Sequence, residues 1–329
     1  MNKTLVTVGI TAFDAVDSIK EAVSSAISQT WRPIEIVIVD DCSNDGTWEL
    51  LQQLALDHNE IRLFRNNRNE GVAVSRNKIL KEARGEFIAF FDDDDKSIPE
   101  RITLQYRRIV TYERDFAREA PVVCYAARRV IYPDGNSQIH YPMGRQIGIE
   151  APNGYAVAER ILLGIYLKDG YGTCPTCSQM IRRDVLLKVE GFDPVFRRSE
   201  DTELNIRLAK IGTHFVGIPY PLVIQTWKLT PDKSLQQEQH YQRLMLDKHR
   251  DVADRRRMYT FCLSWIEIKQ AWLEKKPASF FYKLLQVLTL YPWWTFRRLI
   301  SAIPTIKVNM SCSRFYHKKY NSQVYKLFC

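Results

Sequence analysis

The chain has 329 residues, of which 45% are hydrophobic and 26% are charged, a composition typical of a globular protein with a sizeable core. Its net charge of +9 is uneven: from Arg250 onward there are 15 lysines and arginines against four acidic residues, whereas residues 1–249 are slightly acidic. No apolar run reaches the roughly 18 residues that a membrane span requires, and the N-terminal run, broken by Asp14, is too short for a secretory signal.

The first 93 residues alternate strand patterns with helical patterns. The strand patterns are continuously apolar, which is typical of a parallel sheet covered on both faces. They lie at 5–11, 34–41, 61–65 and 86–93, and the helical patterns between them lie at 17–29, 46–58 and 71–85. The last helix is expected to end at Gly85. The sequence therefore predicts an α/β fold with right-handed crossovers.

Acidic residues follow two of the predicted strands. Asp40 and Asp41 come at the end of the second strand, and Asp92 to Asp95 come at the end of the fourth. Since ligands of parallel sheets bind beyond the carboxyl ends of the strands, both acidic turns are expected to face one cleft. Two carboxylates about 5 Å apart repel by roughly 3 kcal/mol at an effective dielectric constant near 20. Four consecutive aspartates therefore need water, protons or a cation to reduce the repulsion between their carboxylates.

The remainder of the chain is predicted in less detail. A basic amphipathic helix is expected from Pro99 to about residue 117, and an Asp-Gly turn predicts a hairpin within 132–138. The stretch 141–155 is interpreted as a mobile loop. A helix over 199–212, a strand near 214–218 and a mostly helical pattern from about residue 226 follow. We expect one domain over 1–225 and a helical region over 226–329.

The seven cysteines show no disulfide framework, so reduced thiols are expected. Cys174 and Cys177 have the spacing of a zinc-ligand pair, but no second pair lies nearby. We interpret them as thiols in a loop.

Four ordered motifs resemble those of the family-two inverting glycosyltransferases, which have the GT-A fold. They are VTVGITAFD, ISQTWRPIEIVIVDDCSNDGT, NRNEGVAVSRNKILKEARGEFIAFFDDDD and GFDPVFRRSEDTELNIRLAKIG. The resemblance covers roughly residues 4–225 and implies a mostly parallel GT-A sheet flanked by helices. Dehydrogenases and P-loop proteins are excluded, because no G-x-G-x-x-G or Walker loop is present.

The resemblance also implies where a nucleoside-diphosphate sugar, favoured to be a UDP-sugar, would bind. Thr11 and Phe13 would line the base pocket, and Asp41 would hydrogen-bond the pyrimidine. Arg76 would contact the diphosphate, although an ion pair with a neighbouring acid remains an alternative for this residue.

A metal site is implied by the D-x-D motif. Asp92 and Asp94 would hold a divalent cation, Mg²⁺ or Mn²⁺, on the donor diphosphate, or Asp92 would contact the ribose. Asp93 and Asp95 would lie behind these ligands or in solvent. Many relatives also place a histidine after the last sheet strand, and this chain has none there, so fewer protein ligands are expected.

The catalytic base implied by the resemblance is Asp201. Without the other motifs, Glu200 and Asp201 would be interpreted as capping residues of a helix. In that helix Leu204, Leu208 and Ile211 are expected to be buried. Glu203 and Arg207, four positions apart, are expected to form an ordinary surface ion pair.

The C-terminal region combines aromatic, leucine and basic residues, notably in 280–298 together with Arg314, Lys318, Lys319 and Lys326. This composition favours an interfacial helix on an anionic membrane, and a helical lid with a solvated basic face is the alternative. Nucleic acid is not expected as a partner, because no binding module is visible.

These features predict an inverting glycosyltransferase at the cytoplasmic face of the membrane. It would move one sugar to a hydroxyl of a lipid-linked or cell-envelope saccharide, because the Q-x-x-R-W signature of processive synthases is missing. The alternative is a non-catalytic protein that keeps the fold and serves as a binding or scaffold protein at the membrane.

Overall fold

The structure is a computed structural model that describes residues 4–132, 134–227 and 235–298. The chain divides into two compact units, Met1–Lys228 and Leu229–Cys329. The strands of the first unit are β1 (Val6–Ala12), β2 (Ile34–Asp40), β3 (Ile61–Arg65), β4 (Phe87–Asp92), β5 (Asp95–Ser97), β6 (Val122–Ile131), β7 (Ser137–His140), β8 (Gln179–Arg182) and β9 (His214–Thr226). Its helices are α1 (Ile19–Ile27), α2 (Thr47–Asp57), α3 (Val72–Glu82), α4 (Arg101–Tyr112), α5 (Gly154–Leu163), α6 (Arg183–Lys188) and α7 (Glu200–Lys210).

The strands form one sheet in the order β3-β2-β1-β4-β8-β6-β9-β5, with β7 paired to β6. The half formed by β3, β2, β1 and β4 is parallel. The other half is mixed, because β8 runs antiparallel to both β4 and β6, and β9 runs parallel to β6. The predicted α/β sheet flanked by helices is therefore confirmed, and its all-parallel part is limited to the first four strands.

The core follows from the sequence patterns. The continuously apolar β1 and β2 are buried almost throughout, since helices cover both faces of the sheet. On α1, the apolar residues Ile19, Val23 and Ala26 recur on one face and are fully buried. The end of α3 differs from the expectation. The helix ends at Glu82 and is followed by Ala83 in an extended conformation. Gly85 instead permits a close approach, because a Cβ there would lie 2.5 Å from the backbone nitrogen of Thr7.

The stretch interpreted as a mobile loop packs on the sheet and leads into a helix. Gly144 has a φ of +71°, and a Cβ there would lie 1.7 Å from the carbonyl oxygen of Phe215 in β9. Helix α5 begins at Gly154 and packs against α7. The helix was missed because its apolar residues follow a segment rich in glycine and proline.

The pair formed by Glu203 and Arg207 is present but is not at the surface, so that expectation was wrong. Glu203 is fully buried, and Arg207 Nε donates to its two carboxylate oxygens at 2.8 and 2.9 Å. Arg207 also donates to the carbonyl oxygen of Val189. This side of α7 is covered by neighbouring chain, which the helical spacing alone does not reveal.

The second unit is helical where it is described. Its helices are α8 (Leu235–Lys248), α9 (Arg250–Asp254), α10 (Tyr259–Leu273) and α11 (Pro277–Leu290), and residues 292–298 are also helical. Helices α10 and α11 pack together, and Lys283 Nζ lies 2.6 Å from a carboxylate oxygen of Glu267. None of the described helices has the length and apolar character to cross a membrane. The basic residues Arg314, Lys318, Lys319 and Lys326 lie outside the described part of the chain.

Candidate active site

The carboxyl ends of β1, β2 and β4 lie side by side at one edge of the sheet. In the strand registers, Ala12 pairs with Asp40 and Thr11 pairs with Asp92. The backbone nitrogen of Phe13 donates to a carboxylate oxygen of Asp93 at 2.9 Å. The two acidic turns therefore meet at one edge of the sheet, as the strand pattern indicated, and the exposed ring of Phe13 lies beside them.

Asp41 fixes the loop between β3 and α3. Its carboxylate is almost fully buried and accepts hydrogen bonds from Asn66 Nδ2 at 2.7 Å and from the backbone nitrogens of Glu70 and Gly71 at 3.0 and 2.8 Å. Gly71 has a φ of +92°, a conformation that favours glycine. Asp41 therefore has a structural role in shaping this edge, which the sequence did not reveal.

Arg76 on α3 bridges the acidic turn and the start of α7. Its Nη2 lies 3.1 Å from an Asp92 oxygen, and its Nη1 lies 2.6 Å from a Glu200 oxygen. Burial opposes the charge, yet the carboxylates of Asp92, Glu200 and Asp201 raise the pKa of the guanidinium above its ordinary value. Of the two interpretations of Arg76, the ion pair is the one that these contacts display.

Asp95 is the most buried of the four consecutive aspartates, with 3% of its surface exposed. Its Oδ2 accepts from Gln225 Nε2 at 3.3 Å, and its Oδ1 is buried without a hydrogen-bond partner. Burial, together with the charges of Asp92 and Asp94, raises the pKa of Asp95 to about 8. A proton on Asp95 and the guanidinium of Arg76 therefore relieve much of the repulsion within this turn.

The ligand atoms present at this turn fit a divalent cation. Within the described ranges, one group of three histidine, cysteine or acidic residues has its ligand atoms all within 4.8 Å of one another, and it consists of Asp92, Asp95 and Cys177. The unpartnered Oδ1 of Asp95 is a further acceptor that a cation would satisfy. Asp94, predicted with Asp92 as a ligand, is not in this group.

Cys177 was interpreted as a thiol in a loop, and the structure places it beside the acidic turn instead. Burial and the charges of Asp92 and Asp95 raise the pKa of its thiol well above the ordinary value. The protonated sulfur is a poor ligand for a hard cation. The Cys-x-x-Cys spacing drew attention to this residue, but only the fold brings it to the carboxylates.

Asp201 lies in the first turn of α7 and lines a cavity of about 420 Å³. Its Oδ1 accepts from the backbone nitrogen of Thr202 at 2.6 Å. No side chain caps α7 by a hydrogen bond, and Ser199, which precedes the helix, has a φ of +60°. The carboxylate of Asp201 thus accepts a hydrogen bond from its own helix and also lines the cavity.

Comparison with known proteins gives a consistent result. The sequence profile described as "Glycosyl transferase family 2" matches residues 7–189, a region that ends before Asp201. The chain is 41% identical over 101 residues to the UDP-Glc:alpha-D-GlcNAc-diphosphoundecaprenol beta-1,3-glucosyltransferase WfaP of Escherichia coli, a match covering 31% of the chain and 39% of WfaP. It is 28% identical over 194 residues to a cholesterol galactosyltransferase of Borreliella burgdorferi, a match covering 57% of the chain and 51% of that protein.

The chain therefore spans about half, or less, of the length of these relatives. Among solved structures, residues 1–349 of TarS from S. aureus in complex with UDP-GlcNAc superimpose with a TM-score of 0.56 at 18% identity, covering 73% of the chain and 65% of that structure. At this identity the likeness establishes the fold, which is the predicted GT-A type.

Proposed function

The chain belongs to glycosyl transferase family 2, and from that premise we propose that it is an inverting glycosyltransferase of cell-envelope polysaccharide synthesis. It would move one sugar from a nucleoside-diphosphate sugar to a hydroxyl of a lipid-linked or cell-envelope saccharide. The observation that carries the proposal is the chain of contacts Asp92–Arg76–Glu200, which joins the acidic turn at the strand ends to the helix that bears Asp201. Under this proposal residues 1–225 are the catalytic domain.

The donor site of this proposal lies at the ends of β1, β2 and β4. Thr11, Phe13 and Asp41 would hold the base, with a UDP-sugar as the favoured donor, and Asp92 would lie near the ribose and diphosphate. The complexes of TarS with UDP and with UDP-GlcNAc support a uridine nucleotide. Arg76 contributes positive charge beside the diphosphate, although both of its guanidinium ends already contact carboxylates.

A divalent cation, Mg²⁺ or Mn²⁺, would be held by Asp92 together with Asp94 or Asp95. When bound, it stabilises the negative charge that develops on the departing diphosphate.

The acceptor hydroxyl would approach from the cavity that Asp201 lines. Asp201 takes the hydroxyl proton, the oxygen attacks the anomeric carbon, and the bond to the diphosphate breaks on the opposite face with its electron pair leaving on the diphosphate oxygen. The anomeric configuration is inverted, because there is a single displacement.

For the helical region over 226–329, we propose association with an anionic membrane surface. The exposed side chains of Phe281, Leu285 and Leu288 recur on one face of α11, and Trp293 and Phe296 are exposed after it. Such an apolar face beside basic residues is typical of an interfacial helix. The protein would then act at the cytoplasmic face of the membrane.

Two measurements test these proposals on the full chain. A panel of nucleotide sugars is screened for release of nucleoside diphosphate, with and without chelator, and no release from any donor would favour the non-catalytic binding or scaffold protein. In the second, anionic vesicles should sediment the wild type, and serine at positions 281, 285 and 288 should weaken sedimentation. The control Leu56→Ser changes an exposed leucine of α2 and should have no effect.

A further inference from the structure

The cavity beside Asp201 is lined by more positive than negative side chains. Its volume of about 420 Å³ is in the range of small-molecule sites. Its lining contains two arginines and a single acidic residue, Asp201 itself. The polar and charged side chains that line it are Arg128, Arg160, Thr173, Asp201, Thr202 and Asn205.

Arg128 on β6 is buried and forms no ion pair with a carboxylate among the described residues, and its charge acts on Asp95 only at longer range. It is 9% exposed, and its Nε is buried without a hydrogen-bond acceptor. Its other nitrogens donate to neutral groups, Nη1 to Gln225 Oε1 and Nη2 to Thr173 Oγ1 at 3.2 Å. A buried guanidinium without a direct carboxylate contact is costly, so an anion brought by a ligand would be favoured beside it.

Arg160 on α5 also lines this cavity, and two contacts fix its side chain. Its Nε donates to the carbonyl oxygen of Gly170 at 3.1 Å, and its guanidinium carbon lies 4.6 Å from the ring centroid of Tyr171. Within the described ranges, its two Nη groups have no hydrogen-bond acceptor, and the planar guanidinium can present them together to a phosphate or carboxylate. Tyr171 is exposed at the rim and adds an aromatic face.

We propose that this cavity binds an acceptor that carries an anionic group, a phosphate or a carboxylate, close to the reacting hydroxyl, and that Arg160 and Arg128 hold that group. The inference rests on the proposed function, because it takes Asp201 as the base and the cavity as the acceptor side. It narrows the acceptor to a phosphorylated or acidic saccharide. A neutral saccharide would leave the Nη groups of Arg160 without an anionic acceptor.

The test measures binding of three small probes by calorimetry, with and without saturating UDP and Mg²⁺. Methyl β-glucoside is neutral, methyl β-glucuronide carries a carboxylate, and glucose 1-phosphate carries a phosphate. We expect at least one anionic probe to bind about tenfold more tightly than the neutral one, since a charged hydrogen bond is worth about 1.4 kcal/mol or more. The probe that is preferred identifies the source of the anion.

Variants of Arg160 test whether the preference for an anionic probe arises in this cavity. Arg160→Gln should abolish it and leave UDP binding unchanged, whereas Arg160→Lys, which keeps the charge, should retain part of it. The matched control is Arg145→Gln, because Arg145 also stacks on a tyrosine, 4.8 Å from the ring centroid of Tyr141, but does not line the cavity. This control should bind the probes as the wild type does.

Equal binding of the neutral and anionic probes would overturn the inference. So would an equal loss in Arg160→Gln and Arg145→Gln. UDP binding reports separately on the proposed function, because a wild type that does not bind UDP would contradict that function. In that case, a preference for the anionic probe that Arg160→Gln removes would still support the anion site.

Discussion

Removing Arg76 should destabilise the first unit, Met1–Lys228, through the carboxylates that it contacts. In Arg76→Met the apolar stem is kept and the guanidinium is lost. The side chain of Glu200 is only 13% exposed, so little water can replace the lost partner, whereas Asp92 is 29% exposed and is partly hydrated already. Breaking a buried ion pair on one side costs about 3–5 kcal/mol, and we expect a loss of this order at pH 8, mostly from Glu200.

The loss of stability in Arg76→Met should depend on pH because of the carboxyl group of Glu200. Burial already raises the pKa of Glu200, and Arg76 counteracts that effect. Without Arg76 the pKa should rise further. A carboxyl whose pKa is higher in the folded state than in the unfolded state destabilises the fold as pH rises, so the loss should be smaller at pH 5 than at pH 8.

The assay is urea unfolding followed by amide hydrogen exchange in peptides from β1, β2 and β4, which reports on this unit alone. Adding Glu200→Gln to Arg76→Met should recover most of the stability, and UDP binding by that folded double variant then reports any direct role of Arg76 at the diphosphate. The control Arg114→Met removes an exposed ion pair with Asp115 and should leave the urea midpoint unchanged. The reasoning is refuted if Arg76→Met is as stable as the wild type at pH 8, or if Glu200→Gln recovers nothing.

Three further predictions concern the carboxylates. Asp201→Asn should lower turnover by about 10²–10⁴-fold with UDP binding unchanged, and near-normal turnover would leave Asp201 with a role in the helix start only. Asp94→Asn should abolish turnover and weaken Mn²⁺-dependent donor binding in a folded protein, whereas full wild-type activity in excess chelator would exclude a metal role. In chelator, Asp95 should make the free energy of unfolding fall as pH rises from about 4 to about 8, because its folded pKa is about 8 against an ordinary 3.8. Thermal unfolding of Asp95→Asn should depend less on pH over this range, and equal slopes for the wild type and the variant would contradict this.

The strand ends could be predicted because they depend on local pattern. Continuous apolar runs gave β1 to β4 within one or two residues, and the parallel geometry brought Asp41 and Asp92 to the same edge. The same pattern could not predict which of the four aspartates, 92–95, is buried. Adjacent residues in a turn point in different directions, so Asp95 is buried at the start of β5, which pairs with β9, while Asp93 accepts from the backbone nitrogen of Phe13.

Contacts between distant segments were beyond the reach of the sequence pattern. Arg76 and Glu200 are 124 positions apart, and no spacing rule connects α3 to the start of α7. The cavity depends on α5, whose periodicity is hidden between glycine-rich segments. Cys177 is likewise brought to Asp92 and Asp95 only by the pairing of β8 with β4.

The tight packing of Gly144 on β9 has a consequence for how the protein can diverge. The segment from Met143 to Pro175 supplies most of the cavity lining, yet it is anchored at both ends by backbone contacts: Gly144 lies against Phe215, and Gly172 lies against Pro142. The acidic turns and Arg76 all precede Ser97 in the chain. Under the proposed function, most of the acceptor side and the donor side therefore come from separate segments of the chain. Substitutions between the two anchors can then change the acceptor preference while the strand ends stay as they are.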